Sequence, residues 1–194
     1  ILHSTGYAKY VDLGYGGFAH LINKNLLYSS QHLQFNHHDL ESISDSYKQA
    51  IKNKSTFFYQ DSNWLSTSLS HVTFEDYKND VINNIQNSQK IKNKINSIYE
   101  NMLPKKIQFA AKFQQWRFNI TVPQKEVLLK EIFKNGLFAS SHYASLDGIF
   151  STNKAPNAEK IHSSIINLFN DRYFNESKAV QLCKIINKHL QLCE

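Results

Sequence analysis

The chain has 194 residues, 41% of them hydrophobic and 20% charged, which is enough apolar material for a buried core and excludes a disordered or low-complexity polymer. Lys plus Arg number 22 against 16 Asp plus Glu, and the excess of +6 is spread along the chain, so it reads as solubility first and nucleic-acid affinity second. No apolar run reaches the roughly 18–20 residues that span a bilayer, and no basic-then-apolar leader opens the sequence.

In chain order, the first marked segment runs from Tyr10 to Leu27. A turn at Gly14-Tyr15-Gly16-Gly17 leads into a strand-like run Phe18-Ala19-His20-Leu21-Ile22, and Asn23-Lys24-Asn25 closes it. With only 6 Gly in the chain, a cluster of three marks a place where the backbone must turn sharply or approach something closely. Residues 40–50 predict a short helix and Ser55–Tyr59 a short strand, followed by a Ser-rich connector from Gln60 to His71.

Thr73 with Asp76 three residues on has the form of a capping box. Val81, Ile85, Ile91, Ile95, Ile98 and Met102 then recur at mostly helical steps until Pro104, which predicts a long amphipathic helix with Asn, Gln and Lys on its wet face. The polar interruption between Ile85 and Ile91 predicts a bend or a partly exposed stretch. Ile107–Phe109 and the alternating Trp116, Phe118, Ile120, Val122 read as strands. A helix from Pro123 to Asn135 should turn Val127, Leu128, Ile132 and Phe133 inward, with Gly136 just past its end. A strand over Leu137–Ser140 follows, then helices over 157–169 and 176–192 capped by Asn157 and Asn175. The order predicts an α/β or α+β fold, an open sheet covered by helices.

Cys183 and Cys193 lie ten residues apart on the last helix, about 15 Å at helical rise, so they are expected as free thiols in a reducing, cytoplasmic setting. The histidines, among them His32, His37 and His38, match no zinc spacing, and no metal site is expected.

The segment richest in chemistry is Ser4-Thr5-Gly6-Tyr7-Ala8-Lys9-Tyr10-Val11-Asp12-Leu13-Gly14-Tyr15-Gly16-Gly17. A lysine ahead of a Gly-rich turn, held in a dry setting, can act as nucleophile or base, and Ser4 offers a hydroxyl to an anion. The same residues also describe a surface lysine in a hairpin.

Ser-x4-Lys-x4-Gly-x-Gly-Gly followed by a strand and Asn-Lys-Asn resembles the cofactor-lysine segment of the DegT/DnrJ/EryC1/StrS aminotransferases, sugar aminotransferases of pyridoxal-phosphate fold type I. Further segments resemble that family in order: Tyr99-Glu100-Asn101-Met102-Leu103 ending the long helix, Trp116–Val122, Leu128–Gly136, His142-Tyr143, and Ile166-Asn167-Leu168-Phe169 before the last helix. The resemblance implies that Lys9 forms the internal aldimine with pyridoxal phosphate, that Ser4 contacts its phosphate, and that Gly14, Gly16 and Gly17 shape the turn beside them. It implies that His142 and Tyr143 lie on the substrate side. It also implies amino transfer from an amino donor to a keto-sugar nucleotide by a homodimer, without a membrane or nucleic-acid partner. Residues 1–65 would then be the end of the large cofactor-binding domain, and 66–194 the linking helix and the small α/β domain. The family's Gly-x-Asn-Tyr-Arg-Met segment has no counterpart beyond Asn63 in Asp61-Ser62-Asn63-Trp64. The carboxylate for the pyridine nitrogen and the other cradle residues precede the lysine in the family. The expectation is therefore the C-terminal portion of a longer enzyme, not active alone, or a non-catalytic interaction module derived from that fold.

Overall fold

A computed structural model describes residues 1–22, 25, 34–65, 72–141, 145–150 and 154–193. It is mixed α/β, with helices and small open sheets, and it divides into two compact units.

The first unit joins Ile1–His20, Thr73–His142 and Ser163–Glu194. Its frame is a helix whose length the sequence sets at both ends. The Thr73 hydroxyl accepts from the Asp76 amide at 3.1 Å and donates to the Asp76 carboxylate at 2.6 Å, and Pro104 follows the last turn. Between them Phe74–Met102 (α2) is one continuous helix, and the polar interruption corresponds to exposure: Gln86, Asn87, Gln89 and Lys90 all face solvent. The buried stripe is Val81, Lys92, Ile95 and Tyr99. Lys92 is a correction, since it was expected on the wet face and is 4% exposed.

Against α2 packs α5 (Glu176–Leu192), capped by Asn175 accepting from the Lys178 amide at 2.9 Å. Beneath them lies a three-stranded antiparallel sheet in the order β3 (Phe118–Thr121), β5 (Ile165–Leu168), β4 (Ala139–Ser140). Phe118 faces Leu168, Ile120 faces Ile166, and Ala139 faces Leu168 from the other edge. The core is Phe118, Ile120, Ile166, Leu168, Leu128, Ile132, Leu182 and Ile186, all fully buried. Strand β5 corrects the expected helix over 157–169. That segment splits into a short helix, α4 (Pro156–His162), and this strand. Strand β5 reads Ile-Ile-Asn-Leu, with Ile166, Asn167 and Leu168 all buried, and four residues are too few for periodicity to separate a strand from a piece of helix. Its paired isoleucines suit the pleat. Asn157 lies inside α4 rather than capping it, with Pro156 at the first helical position.

Two further expectations shift. Ile107–Phe109 is a 3-10 turn (Lys105–Ile107) followed by a single bridge from Gln108 to Ile120. In α3 (Lys125–Lys134) the inward residues are Leu128, Leu129 and Ile132, whereas Val127 and Phe133 are 55% and 48% exposed. They sit about 100° to either side of the buried line, one residue before it and one after. Gly136 takes the left-handed φ of +68° expected past the helix end. Cys183 is buried and Cys193 partly so, and both are free thiols.

The N-terminal residues of this unit form a hairpin, β1 (Leu2–Ser4) against β2 (Gly17–Ala19), shorter than the expected run to Ile22. Gly17 is required there by close approach. A Cβ at this position would lie 2.6 Å from the His3 carbonyl oxygen on the facing strand. Gly17→Ala is therefore expected to cost on the order of 1–3 kcal/mol by overpacking and to speed amide exchange at His3 and Phe18, measured by hydrogen exchange.

The second unit comprises Leu21–Val72 and Tyr143–His162. Helix α1 (His37–Asn53) is capped by Asn36 and ends in Lys54, at a left-handed φ of 50°. Tyr47, Phe57 and Phe150 form an aromatic cluster with ring centroids 5.4–6.3 Å apart. Ser55–Tyr59 is extended but joins no sheet; the Phe57 amide donates to Ile149 at 2.6 Å. Among the described residues no helix is long and apolar enough to cross a membrane. Nor does any group of three or more His, Cys, Asp or Glu there suit a metal ion.

Candidate functional site

Lys9 sits on a loop pinched at its neck by Thr5, which is 2% exposed. The Thr5 amide donates to Gly16 O at 3.1 Å and its carbonyl accepts from Leu13 at 2.9 Å. Its hydroxyl donates to Tyr15 O at 2.7 Å and lies 2.7 Å from the Tyr77 hydroxyl on α2. Gly14 and Gly16 take φ of +79° and +75°, the left-handed backbone that lets the chain double back. Inside the loop Asp12 accepts from the Ala8 amide at 2.9 Å and from Gly14 at 3.0 Å, and Arg172 lies 3.5 Å from it.

From outside the loop, two donors on the approach to β3 reach the Ala8 carbonyl: Trp116 Nε1 at 2.8 Å and Arg117 Nη2 at 3.3 Å. Lys9 Nζ stands 5.1 Å above the Trp116 ring. Arg117, 3% exposed, is paired with Asp171 at 2.9 Å and lies 4.0 Å over the Phe169 ring. Burial pulls the Arg117 guanidinium below its ordinary value, against the pull of Asp171.

Behind this loop Lys92 donates to Trp116 O at 3.1 Å and to Asn170 at 3.0 Å, and Asn170 donates on to Asn96 at 2.9 Å. Burial first, and the Arg117 charge second, pull Lys92 down to about 8, with Asp171 opposing. Lys9, Tyr10, Asp12, Lys92, Asp171 and Arg172 thus border one polar recess of about 40 Å³. It brings two amines within reach of one small volume. Chemically it offers a lysine able to attack a carbonyl, beside cations able to hold an oxyanion.

The residues singled out in the sequence are brought together only in part. Ser4 and Gly17 face each other across the hairpin, and the Ser4 hydroxyl accepts from Gly6 at 3.4 Å. Gly14 and Gly16 close the lysine loop, and Lys9 lies against Trp116. His142 and Tyr143 lie outside the described residues. Asn63 is bound by its backbone to Asn36 and Asp39 in the second unit. Trp116, Arg117, Asp171, Asp12 and Lys92 were not singled out. The signal for two of them was there: an arginine inside an apolar strand, and an aspartate just after another apolar run, each asking for a buried partner.

No family model matches the sequence, and no curated protein matches it. Among solved structures, a DegT DnrJ EryC1 StrS aminotransferase from Brucella abortus is similar, with a TM-score of 0.45 and 14% identity over 76% of this chain and 43% of that one. The chain spans less than half the length of that protein. A likeness of this degree identifies neither a family nor an activity.

Pyridoxal phosphate asks for more than an amine. It needs a carboxylate at its pyridine nitrogen, cover for the ring and donors for the phosphate. The recess beside Lys9 holds about 40 Å³, room for a few waters and about an order of magnitude below an ordinary small-molecule pocket. Both of its carboxylates are engaged, Asp12 by two amides and Arg172, Asp171 by Arg117. This chain's own residues offer an amine beside the recess and do not fit the whole cofactor.

Proposed function

We propose that this chain is the C-terminal portion of a pyridoxal-phosphate-dependent aminotransferase acting on a keto-sugar nucleotide, with Lys9 as the cofactor lysine, and that the chain alone is inactive. The observation that carries this reading is the mounting of Lys9. It is on a loop closed by Thr5 and two left-handed glycines and pinned from outside at the residue before it. A solvated surface lysine needs no such fastening; a lysine that must meet a carbonyl at a fixed place does. In this reading residues 1–65 belong to the large cofactor-binding domain and 66–194 to the linking helix and small domain. The partners are the nucleotide sugar, an amino donor and a second copy of the chain, in the cytoplasm. The rest of the cradle comes from residues outside this chain.

Reduction with borohydride after incubation with pyridoxal phosphate, followed by peptide mass spectrometry, tests it. The longer protein should carry one stoichiometric adduct on Lys9, and this chain alone should carry none in preference to its other lysines. A longer protein unlabelled at Lys9 ends the assignment. The second reading, a non-catalytic dimerisation or interaction module, is favoured by the small recess and its engaged carboxylates. It expects Lys9→Ala to alter neither stability nor association.

A further inference from the structure

Ala8 is one of the described non-glycine residues with a positive φ, at 60°. A residue with a Cβ avoids that conformation unless its surroundings over-determine it. Here they do. Its amide is held by Asp12 at 2.9 Å, and its carbonyl oxygen takes two donors, Trp116 Nε1 and Arg117 Nη2. The next amide, that of Lys9, donates back to Gly6 O at 3.3 Å. The peptide plane linking Ala8 to Lys9 is thus fixed on both of its polar sides, and that plane sets the direction in which the Lys9 side chain leaves the backbone.

The two external donors come from 108 and 109 residues further along the chain, and they are not independent. The Arg117 guanidinium lies 5.4 Å from the Trp116 ring centre, so it braces the indole that in turn lies under Lys9 Nζ. Arg117 cannot swing away, because Asp171 pairs with it at 2.9 Å and Phe169 stacks on it at 4.0 Å. An arginine needed only to neutralise Asp171 would have no reason to spend a second nitrogen on a carbonyl of a distant loop.

We infer that Arg117 is a positioning residue for Lys9, holding the Ala8 carbonyl and the Trp116 indole so that the Lys9 amine is presented in one place. The inference rests on the proposed role of Lys9 for its functional meaning, but the positioning itself is measurable without any cofactor.

The test is competitive acetylation of the folded chain with isotopically labelled acetic anhydride, reading Lys9 against the exposed Lys134 as internal standard. Arg117→Gln removes one donor, Trp116→Phe removes the other while keeping a ring, and Arg117→Lys keeps a cation. Lys9 should label about fivefold faster in Arg117→Gln and in Trp116→Phe, the change expected from losing one modest contact. Arg117→Lys answers the Asp171 charge but has one nitrogen in place of two, so it should also label Lys9 faster than the wild type, and Lys134 should not change in any variant. A folded variant lacking either donor that labels Lys9 at the wild-type rate overturns the inference. Should Arg117→Gln fail to fold because Asp171 is left unpaired, Arg117→Lys, which keeps a charge there, decides for Arg117. Because no pyridoxal phosphate is present, a missing cofactor adduct leaves this result standing. An adduct formed without these rate changes removes only the positioning role.

Discussion

Asp171→Ala should destabilise the protein by about 3–5 kcal/mol, a large part of the 5–15 kcal/mol that holds a typical domain together. The reason is an asymmetry in the Arg117–Asp171 pair. Both side chains are almost wholly removed from water, at 3% and 6% exposure, and they meet at 2.9 Å. Forming the pair gains little over an apolar contact, since both ions give up hydration. Removing one member, however, leaves a guanidinium buried over Phe169 with its charge unanswered. The carboxylate also accepts from the Tyr173 amide at 3.1 Å, so the turn that follows β5 loses a tie as well. The double variant Arg117→Met/Asp171→Leu leaves no orphaned charge and should cost clearly less than Asp171→Ala alone. Urea denaturation of the two variants beside the wild type measures both. A loss below about 1 kcal/mol in Asp171→Ala would place the pair with ordinary surface bridges.

Stability should also follow an unusual course above neutrality: a rise from pH 8 to 9, a level stretch to about 10, and a fall beyond. Lys92 produces the rise. Its folded value is about 8 against 10.5 when unfolded, so between these pH values the unfolded chain holds one proton more, and stability increases with pH. Cys183 acts in the opposite sense. Burial pushes its thiol from 9.0 up to about 12, so above pH 9 the folded state holds the extra proton and stability declines. From 9 to 10 the two slopes cancel. Above 10 Tyr99, which burial raises well beyond its ordinary 10.0, joins Cys183, and the decline steepens once Lys92 is spent. Each uncompensated proton is worth about 1.4 kcal/mol per pH unit. Denaturant titrations at half-unit steps from pH 7.5 to 11 should trace this shape. Lys92→Met should erase the rise and expose the decline from pH 9 onward; a rise that survives in that variant refutes the role given to Lys92.

How much of this was legible in the sequence depends on whether the cause was local. The cap at Thr73–Asp76, the cap at Asn175 and the left-handed Gly136 are settled within a few residues, and the helices they bound fall where expected. The turn around Gly14 and Gly16 is local in the same way. Strand β5 was hidden because it is only four residues long, too short for the Ile166-Asn167-Leu168 alternation to stand out between Ile165 and Phe169. Lys92 was misplaced because a lysine in an otherwise polar stretch looks solvated; only Trp116 O and Asn170, brought from 24 and 78 residues away, explain its burial. The lysine loop was visible, but its fastening was not, since the donors to Ala8 lie beyond any local pattern.

The sheet order carries a consequence for how the chain is made. Strands β3 and β4 do not touch each other; each is bonded to β5, which follows both in the sequence. As the polypeptide leaves the ribosome, both outer strands are therefore synthesised with their ladder positions unfilled, and the helix that packs on the core, α5, emerges after all three strands. The hydrophobic faces of Phe118, Ile120 and Ala139 must wait, open to competing strands, until residues 165–168 appear. Folding of the first unit is in this sense deferred until β5 has been made, and a break between Ser140 and Ile165 would strand two edges without a middle.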